Sequence, residues 1–414
     1  MNIISLVIPS RNNLKYVKFA YNSIRKYLPL DVEIILLDDA STDGTWKWMN
    51  EIKILDDNVK IYRNDGPERV GHTVLYDVGA ELASHEIFGI FHADMFATTN
   101  YIKNMLKHLK PKTVVSGTRI EPPLHPPGPE KYVKDFGLEP EEFREIDFIN
   151  FVKQCETDNA NKTTNGIFAP WLMYKEDFFA IQGHDKKLFA PMELEDSDLF
   201  NRFLLAGYTF IQSRDAFVYH MTCRGSRFKD GIKIVNEIPI GNDSIWKKAQ
   251  DSDEYTKLRE IKFREWWRKW HSDVLHNENM FPIVKHKYNI GFSVTNCNDK
   301  LLEALEPWCT TLYVDCPYDS YIEKNQPHTK FNLNNKIVPY HREKTNDIVI
   351  EFDGAKLNQT GFQIITRLLP DILTDSAEVG EMEFDIFKFS IKSLNTYEKK
   401  LIRLDDPYYT NQLL

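Results

Sequence analysis

Two periodicities organise the first half of the chain. Short apolar runs at residues 3–8, 33–37, 59–62 and 87–91 read as strands buried on both faces. Between them, residues 14–28 place Leu14, Val17, Phe19, Ala20, Ile24 and Tyr27 at helical spacing and stop at Pro29. Residues 42–52 and 71–83 continue the alternation as further helices. The order strand, helix, strand, helix, strand predicts a Rossmann-like, mostly parallel sheet with helices on both faces. Farther along, the prolines of residues 122–129 exclude helix and central strand. Residues 139–154 and 175–181 read as helices. A third helix opens at residues 192–199, turns Leu199, Phe203 and Leu204 inward, and closes at Gly207, before a strand over 210–219 ends on His220.

The pattern changes at residue 250. Residues 250–276 form a basic, aromatic helix with Arg264, Trp266, Trp267, Arg268, Lys269 and Trp270. Such a helix lies on an anionic membrane surface or docks its tryptophans onto the preceding domain. Docking is favoured, because Glu260, Glu265 and Asp273 interrupt the basic face. Beyond Pro282 the order β-α-β-β-α-β predicts a smaller α/β domain, ferredoxin-like or similar. The expected division is a catalytic-type domain over 1–250, a connecting helix over 251–282 and a C-terminal α/β domain over 283–414. Acceptor binding, homo-oligomerisation and a structural role stay open for that last domain.

Composition narrows the function classes. A chain of 414 residues with 42% hydrophobic and 13% aromatic content is globular and long enough for more than one core. Its net charge of −9 gives no reason to expect a nucleic-acid partner. Five cysteines without CxxC spacing suit reduced thiols, not a disulfide frame or zinc site. No apolar segment approaches the roughly 18–20 residues that span a bilayer, and the first residues show no basic leader. A cytoplasmic location is expected, with peripheral membrane contact only if the basic helix lies on a surface.

The candidate chemistry sits at strand ends. The strand at 33–37 stops on Asp38 and Asp39, followed by Ala40, Ser41, Thr42, Asp43 and Gly44. In an open α/β sheet, ligands bind beyond the carboxyl ends of strands. The plainer alternative is that these acids end a strand and cap a helix. A GxGxxG turn is missing after the first strand, which argues against a dinucleotide site.

Four blocks then occur in order: Val7-Ile8-Pro9-Ser10-Arg11-Asn12, Leu37-Asp38-Asp39-Ala40-Ser41-Thr42-Asp43-Gly44-Thr45, His92-Ala93-Asp94, and Glu195-Asp196-Ser197-Asp198-Leu199 with His220 downstream. Together they resemble the inverting family 2 glycosyltransferases of the GT-A fold, over about residues 1–230. The resemblance implies a hexosyltransferase of glycan or polysaccharide assembly. Its donor is a nucleotide sugar, most simply UDP-linked, and its acceptor a hydroxyl of a glycan, lipid or protein.

It also implies roles residue by residue. Pro9, Arg11, Asp38 and Asp39 would form the nucleoside pocket, with Asp39 accepting from the base. His92-Ala93-Asp94 stands where the family has Asp-x-Asp, so Asp94 is the expected ligand of Mn²⁺ or Mg²⁺ and His92 replaces the first acid. His220 is the expected second ligand, and an imidazole favours Mn²⁺. Asp196 is expected as general base and Glu195 as its acceptor-side companion. Arg224 and Arg227 would close on the diphosphate, with solvated surface as the alternative. Trp171 would stack on the acceptor sugar, with core packing as the alternative. Two other functions stay in view: a nucleotidyltransferase, although its Gly- and Lys-bearing loop is absent, and an inactive nucleotide or sugar binder, which His92 in place of an acid would suit.

Overall fold

The computed structural model describes residues 4–222, 233–239 and 245–414. Its first elements are β1 (Ile4–Ser10), α1 (Leu14–Tyr27), β2 (Glu33–Asp39), α2 (Thr45–Leu55), β3 (Val59–Asn64), α3 (Gly71–Leu82) and β4 (Ile87–Ile90). The four strands pair in parallel in the order β3-β2-β1-β4. Strands β1 and β2 are buried almost throughout, so both faces of the sheet are covered. Ile4, Leu6 and Ile8 pack against Val17, Ala20 and Ile24 of α1. On the other face, Val7, Ile35 and Leu37 meet Leu75, Tyr76 and Ala80 of α3.

The sheet then grows by β5 (Met95–Ala97), α4 (Tyr101–Leu106), β6 (Thr113–Glu121), β7 (Lys131–Val133), α5 (Glu145–Asp158), β8 (Thr163–Thr164) and β9 (Trp171–Tyr174). Helices α6 (Lys175–Ala180), α7 (Lys186–Phe189) and α8 (Glu195–Leu205) precede the long strand β10 (Thr209–His220). The full order is β3-β2-β1-β4-β9-β6-β10-β5, with β7 beside β6 and β8 beside β10. Strand β9 is antiparallel to β4 and β6, while β6 and β10 run parallel. This is the mostly parallel, helix-covered sheet expected of the GT-A resemblance.

A hairpin of β11 (Ile234–Pro239) and β12 (Ile245–Ala249) leads to α9 (Asp253–Trp270). Ser252 caps α9 by accepting from the Tyr255 backbone N–H. The tryptophans of α9 point inward: Trp266 and Trp270 are each 1% exposed, and Arg268 and Lys269 are buried with them. Lys262 donates to the carbonyls of Leu188 and Ala190, and Arg268 is clasped between Glu265 and Glu306. The helix docks between the two halves and does not present a basic, aromatic face outward. Among the described residues, no helix is long and apolar enough to cross a membrane.

The C-terminal half corrects one expectation. Its elements are β13 (Ile290–Thr295), α10 (Asp299–Leu305), β14 (Thr311–Val314), α11 (Asp319–Asn325), α12 (Leu333–Lys336), β15 (Ile337–Pro339) and β16 (Ile348–Asp353). They continue with α13 (Gln359–Gln363), α14 (Leu369–Asp375), β17 (Gly380–Phe384), β18 (Phe387–Ile391) and α15 (Pro407–Thr410). The six strands are ordered β15-β14-β13-β16-β18-β17, the first four parallel and the last two antiparallel. A ferredoxin-like sheet is ruled out by those three parallel pairings. The polar stretch after β14 holds two helices and the three-residue strand β15, which supply an extra crossover. The apolar run expected as one final strand folds back at Asp385 (φ +53) into a hairpin.

Candidate active site

Strands β1, β2, β6 and β10 carry their carboxyl ends to one side of the first sheet, where a cavity of about 1230 Å³ opens. It is lined by Pro9, Arg11, Asp39, His92, Asp94, Glu195, Asp196 and His220, together with Ser10, Arg69, His72, Arg119 and Glu121. Nine of the residues singled out from sequence, Trp171 included, therefore line one cavity, although Pro9 and His220 lie more than two hundred positions apart, while the buried Asp38 does not reach it. Two buried polar atoms on its wall, Ser10 Oγ and Glu195 Oε2, have no hydrogen-bond partner among the described residues. Buried polar atoms are rarely left so, and their convergence marks a place built for a polar ligand.

At the β2 end, the two acids do different work. Asp38 is fully buried, accepts from the Ser41 backbone N–H, and lies 3.5 Å from Arg63. Burial raises its carboxyl above the usual range. Asp39 accepts from the backbone N–H groups of Val70 and Gly71 at 3.0 and 2.9 Å and from Asn64 at 2.8 Å. It therefore satisfies the start of α3 as a capping acid would, while Arg11 donates to its backbone carbonyl at 2.8 Å. Arg69, 3.8 Å from the same carboxylate, reaches into the cavity beside it.

Asp94, His92 and His220 offer one oxygen and two imidazole nitrogens within 4.8 Å of one another. His220 Nε2 lies 3.5 Å from Asp94, and Nδ1 lies 2.9 Å from Glu121. Burial works against a proton on His220, but Asp94 and Glu121 outweigh it and raise the imidazole to about 9. Burial, followed by the neighbouring His220, lowers His92 to about 3, so its ring is neutral. A neutral imidazole, a carboxylate and a second imidazole whose Nε2 proton a cation would displace, its Nδ1 staying on Glu121, suit a divalent transition metal. The donor set therefore fits Mn²⁺ better than Mg²⁺, which favours oxygen ligands.

Across the cavity, Glu193 and Leu194 adopt left-handed conformations (φ +82 and +67) just before α8. Two such non-glycine residues in succession cost roughly 1–2 kcal/mol each. This turn brings Glu195 and Asp196 to the cavity in the first turn of α8. Glu195 Oε1 lies 2.5 Å from His72 Nε2. Burial opposes ionisation of Glu195, but His72 outweighs it and lowers the carboxyl. Asp196 moves the other way: burial first, then the charge of Glu195, raises it to about 7. One oxygen of Asp196 accepts the Ser197 N–H at 2.6 Å.

Two expectations need separate comment. Trp171 is 3% exposed and packs edge-on against Phe88 at 5.7 Å, so most of its ring is in the core, although it also forms part of the cavity wall. Arg224 and Arg227 lie outside the described residues. The sequence reading missed Arg69, His72, Arg119 and Glu121. Arg69 and His72 flank the glycine that opens α3, a detectable signal. Arg119 and Glu121 sit in an ordinary strand with no motif around them.

The family model described as Glycosyl transferase family 2 matches residues 5–157. The dolichyl N-acetyl-alpha-D-glucosaminyl phosphate 3-beta-D-2,3-diacetamido-2,3-dideoxy-beta-D-glucuronosyltransferase of Methanococcus voltae is 32% identical over 111 residues, 26% of this chain and 34% of that protein. Glycosyltransferase GlyG of Streptococcus pneumoniae serotype 4 is 26% identical over 110 residues, 27% of this chain and 36% of that protein. The chain thus spans about a third of the length of the curated relatives it matches. Among solved structures, GalNAc-T7 with UDP, GalNAc and Mn²⁺ aligns at TM-score 0.41 and 15% identity, covering 53% of this chain and 44% of that one. The mannosyltransferase PcManGT from Pyrobaculum calidifontis, in complex with GDP-Man and Mn²⁺, aligns at 0.38 and 19% identity, covering 53% and 57%.

Proposed function

With residues 5–157 forming a glycosyl transferase family 2 domain, we propose that the protein transfers a sugar, with inversion, from a nucleoside-diphosphate donor to a hydroxyl of a glycan, lipid-linked or protein acceptor. The observation that carries this reading is the placement of Asp196, its carboxyl raised to about 7, in the same cavity as His92, Asp94 and His220. A general base works best when its pKa lies near the operating pH.

The nucleoside end of a UDP-sugar would sit against Pro9, Arg11, Asp39 and Arg69, with the buried Asp38 behind them and out of reach. His92, Asp94 and His220 would hold Mn²⁺, which supplies positive charge to the departing diphosphate. Asp196 takes the proton of the acceptor hydroxyl. As it does so, the acceptor oxygen bonds to the anomeric carbon and the bond to the diphosphate breaks, the electron pair leaving with the diphosphate. Attack opposite the leaving group inverts the anomeric centre. Glu195, with Oε1 on His72 and Oε2 unpartnered, is placed to accept from an acceptor hydroxyl.

A panel of UDP-, GDP- and TDP-sugars with Mn²⁺, scored by released nucleoside diphosphate, tests the proposal. Turnover with one donor class, abolished in Asp94→Ala and Asp196→Asn, is the expected result. Full turnover in either variant overturns the assignment of roles. Nucleotide binding without turnover on any donor favours a binding protein instead.

A further inference from the structure

We propose that Glu121 is a positioning residue for the cation site, fixing the His220 ring so that Nε2 faces Asp94 and His92. The inference rests on the cation reading given above. It begins in the sheet. Strands β6 and β10 run parallel with Arg119 opposite Val218 and Ile120 opposite Tyr219. Glu121 and His220 come next on each strand, so the ladder itself brings them side by side. The contact is 2.9 Å, from Glu121 Oε1 to His220 Nδ1.

Glu121 is 1% exposed, and both of its oxygens are occupied. Lys131 donates to Oε2 at 2.8 Å, and Arg119 lies 3.5 Å from Oε1. Clamped between two cations, the carboxylate stays in place and acts through the imidazole. It is not one of the three residues whose donor atoms converge on the cation position. With Nδ1 engaged by Glu121, the nitrogen left to face a cation is Nε2, 3.5 Å from Asp94.

Mn²⁺ titrated into the full chain and followed by electron paramagnetic resonance tests this without any sugar substrate. Glu121→Gln is expected to weaken Mn²⁺ binding about tenfold or more, the usual effect of losing a carboxylate behind a ligating histidine. In a His220→Ala background the same change is expected to add nothing. If Glu121→Gln binds as the parent does while His220→Ala loses Mn²⁺, the cation site stands and the positioning role falls. A parent chain that binds no Mn²⁺ overturns the cation reading and this inference with it.

Should Glu121→Gln not fold, imidazole nitrogen NMR of the parent with Zn²⁺ as a diamagnetic probe decides. The His220 signals are those missing from His220→Ala. Metal on Nε2 with the proton on Nδ1 is expected, and metal on Nδ1 overturns the inference.

Discussion

Lys269 of α9 reaches Asp198 of α8 across 2.7 Å, with both side chains fully buried. The same ammonium lies 2.8 Å from Asp185, which also accepts from the Tyr409 hydroxyl near the end of the described chain. Trp270 donates its indole N–H to Asp198 at 3.0 Å, and Arg202 holds the other carboxylate oxygen at 2.8 Å. The connecting helix α9 is thus bonded to the helix that carries Glu195 and Asp196, and Tyr409 of the C-terminal half joins the same network through Asp185.

Removing the charge from that junction destabilises the whole protein. Lys269→Met leaves Asp185 and Asp198 buried with one cation fewer, and breaking a buried pair in this way costs about 3–5 kcal/mol. Because Arg202 still pairs with Asp198, the lower end of that range is expected. Urea unfolding reads it, and an unchanged midpoint would sink the view that α9 braces α8.

Transfer is expected to rise with pH through about 7, as Asp196 loses its proton. Asp196→Asn should lower the rate by about 10²–10⁴-fold and remove that limb of the profile. The stability effect has its own sign. The carboxyl is raised in the folded state from 3.8 to about 7, so its stabilising contribution is full below about 4 and lost as pH rises to about 7. Thermal scans should show Asp196→Asn gaining on the parent between pH 4 and 8. A constant difference across that range would contradict the shift.

His72 is expected to matter to the chemistry more than to donor binding. In His72→Ala, neither oxygen of Glu195 keeps a partner, a loss of about 1–3 kcal/mol. Turnover should fall by about tenfold or more while the donor KM stays near the parent value. His72→Gln, which can still donate to Glu195, should recover part of the loss. A variant whose only change is a raised donor KM would assign His72 to the nucleotide instead.

Gly71 has no room for a side chain. A Cβ there would lie 1.9 Å from the Pro191 carbonyl oxygen, and the residue sits at φ +78. Gly71→Ala is expected to destabilise by well over about 1 kcal/mol and to disturb both α3 and the segment before α8. Gly207→Ala is the control, since it shares a positive φ (+80) but meets nothing within 4 Å. Equal denaturation midpoints for the two variants would refute the steric argument.

The first sheet was legible because its central strands are continuous apolar runs separated by well-spaced helices, a pattern with one economical solution. The candidate site was legible as motif blocks at strand ends and at the start of α8, and Asp94, His220, Glu195 and Asp196 do line one cavity. What the sequence concealed was local or relational. Strand β15 is three residues long inside a polar stretch, and Asp385 turns one apolar run into two strands. Glu121 acquires its place only from the β6–β10 register, which no local pattern encodes. For Trp171 core packing was the commoner expectation, and the antiparallel entry of β9 between β4 and β6 buries most of the ring while leaving it part of the cavity wall.

Asp39 has a consequence for changing what the cavity accepts. Its carboxylate receives the two backbone N–H groups that open α3, so exchanging it would unfasten the helix before it altered any preference for a base. Arg11 and Arg69 stand at the same wall without that structural duty to α3. On the proposed reading of this wall as the nucleoside pocket, redesign for a different nucleotide should keep the acid and vary the two guanidinium groups around it.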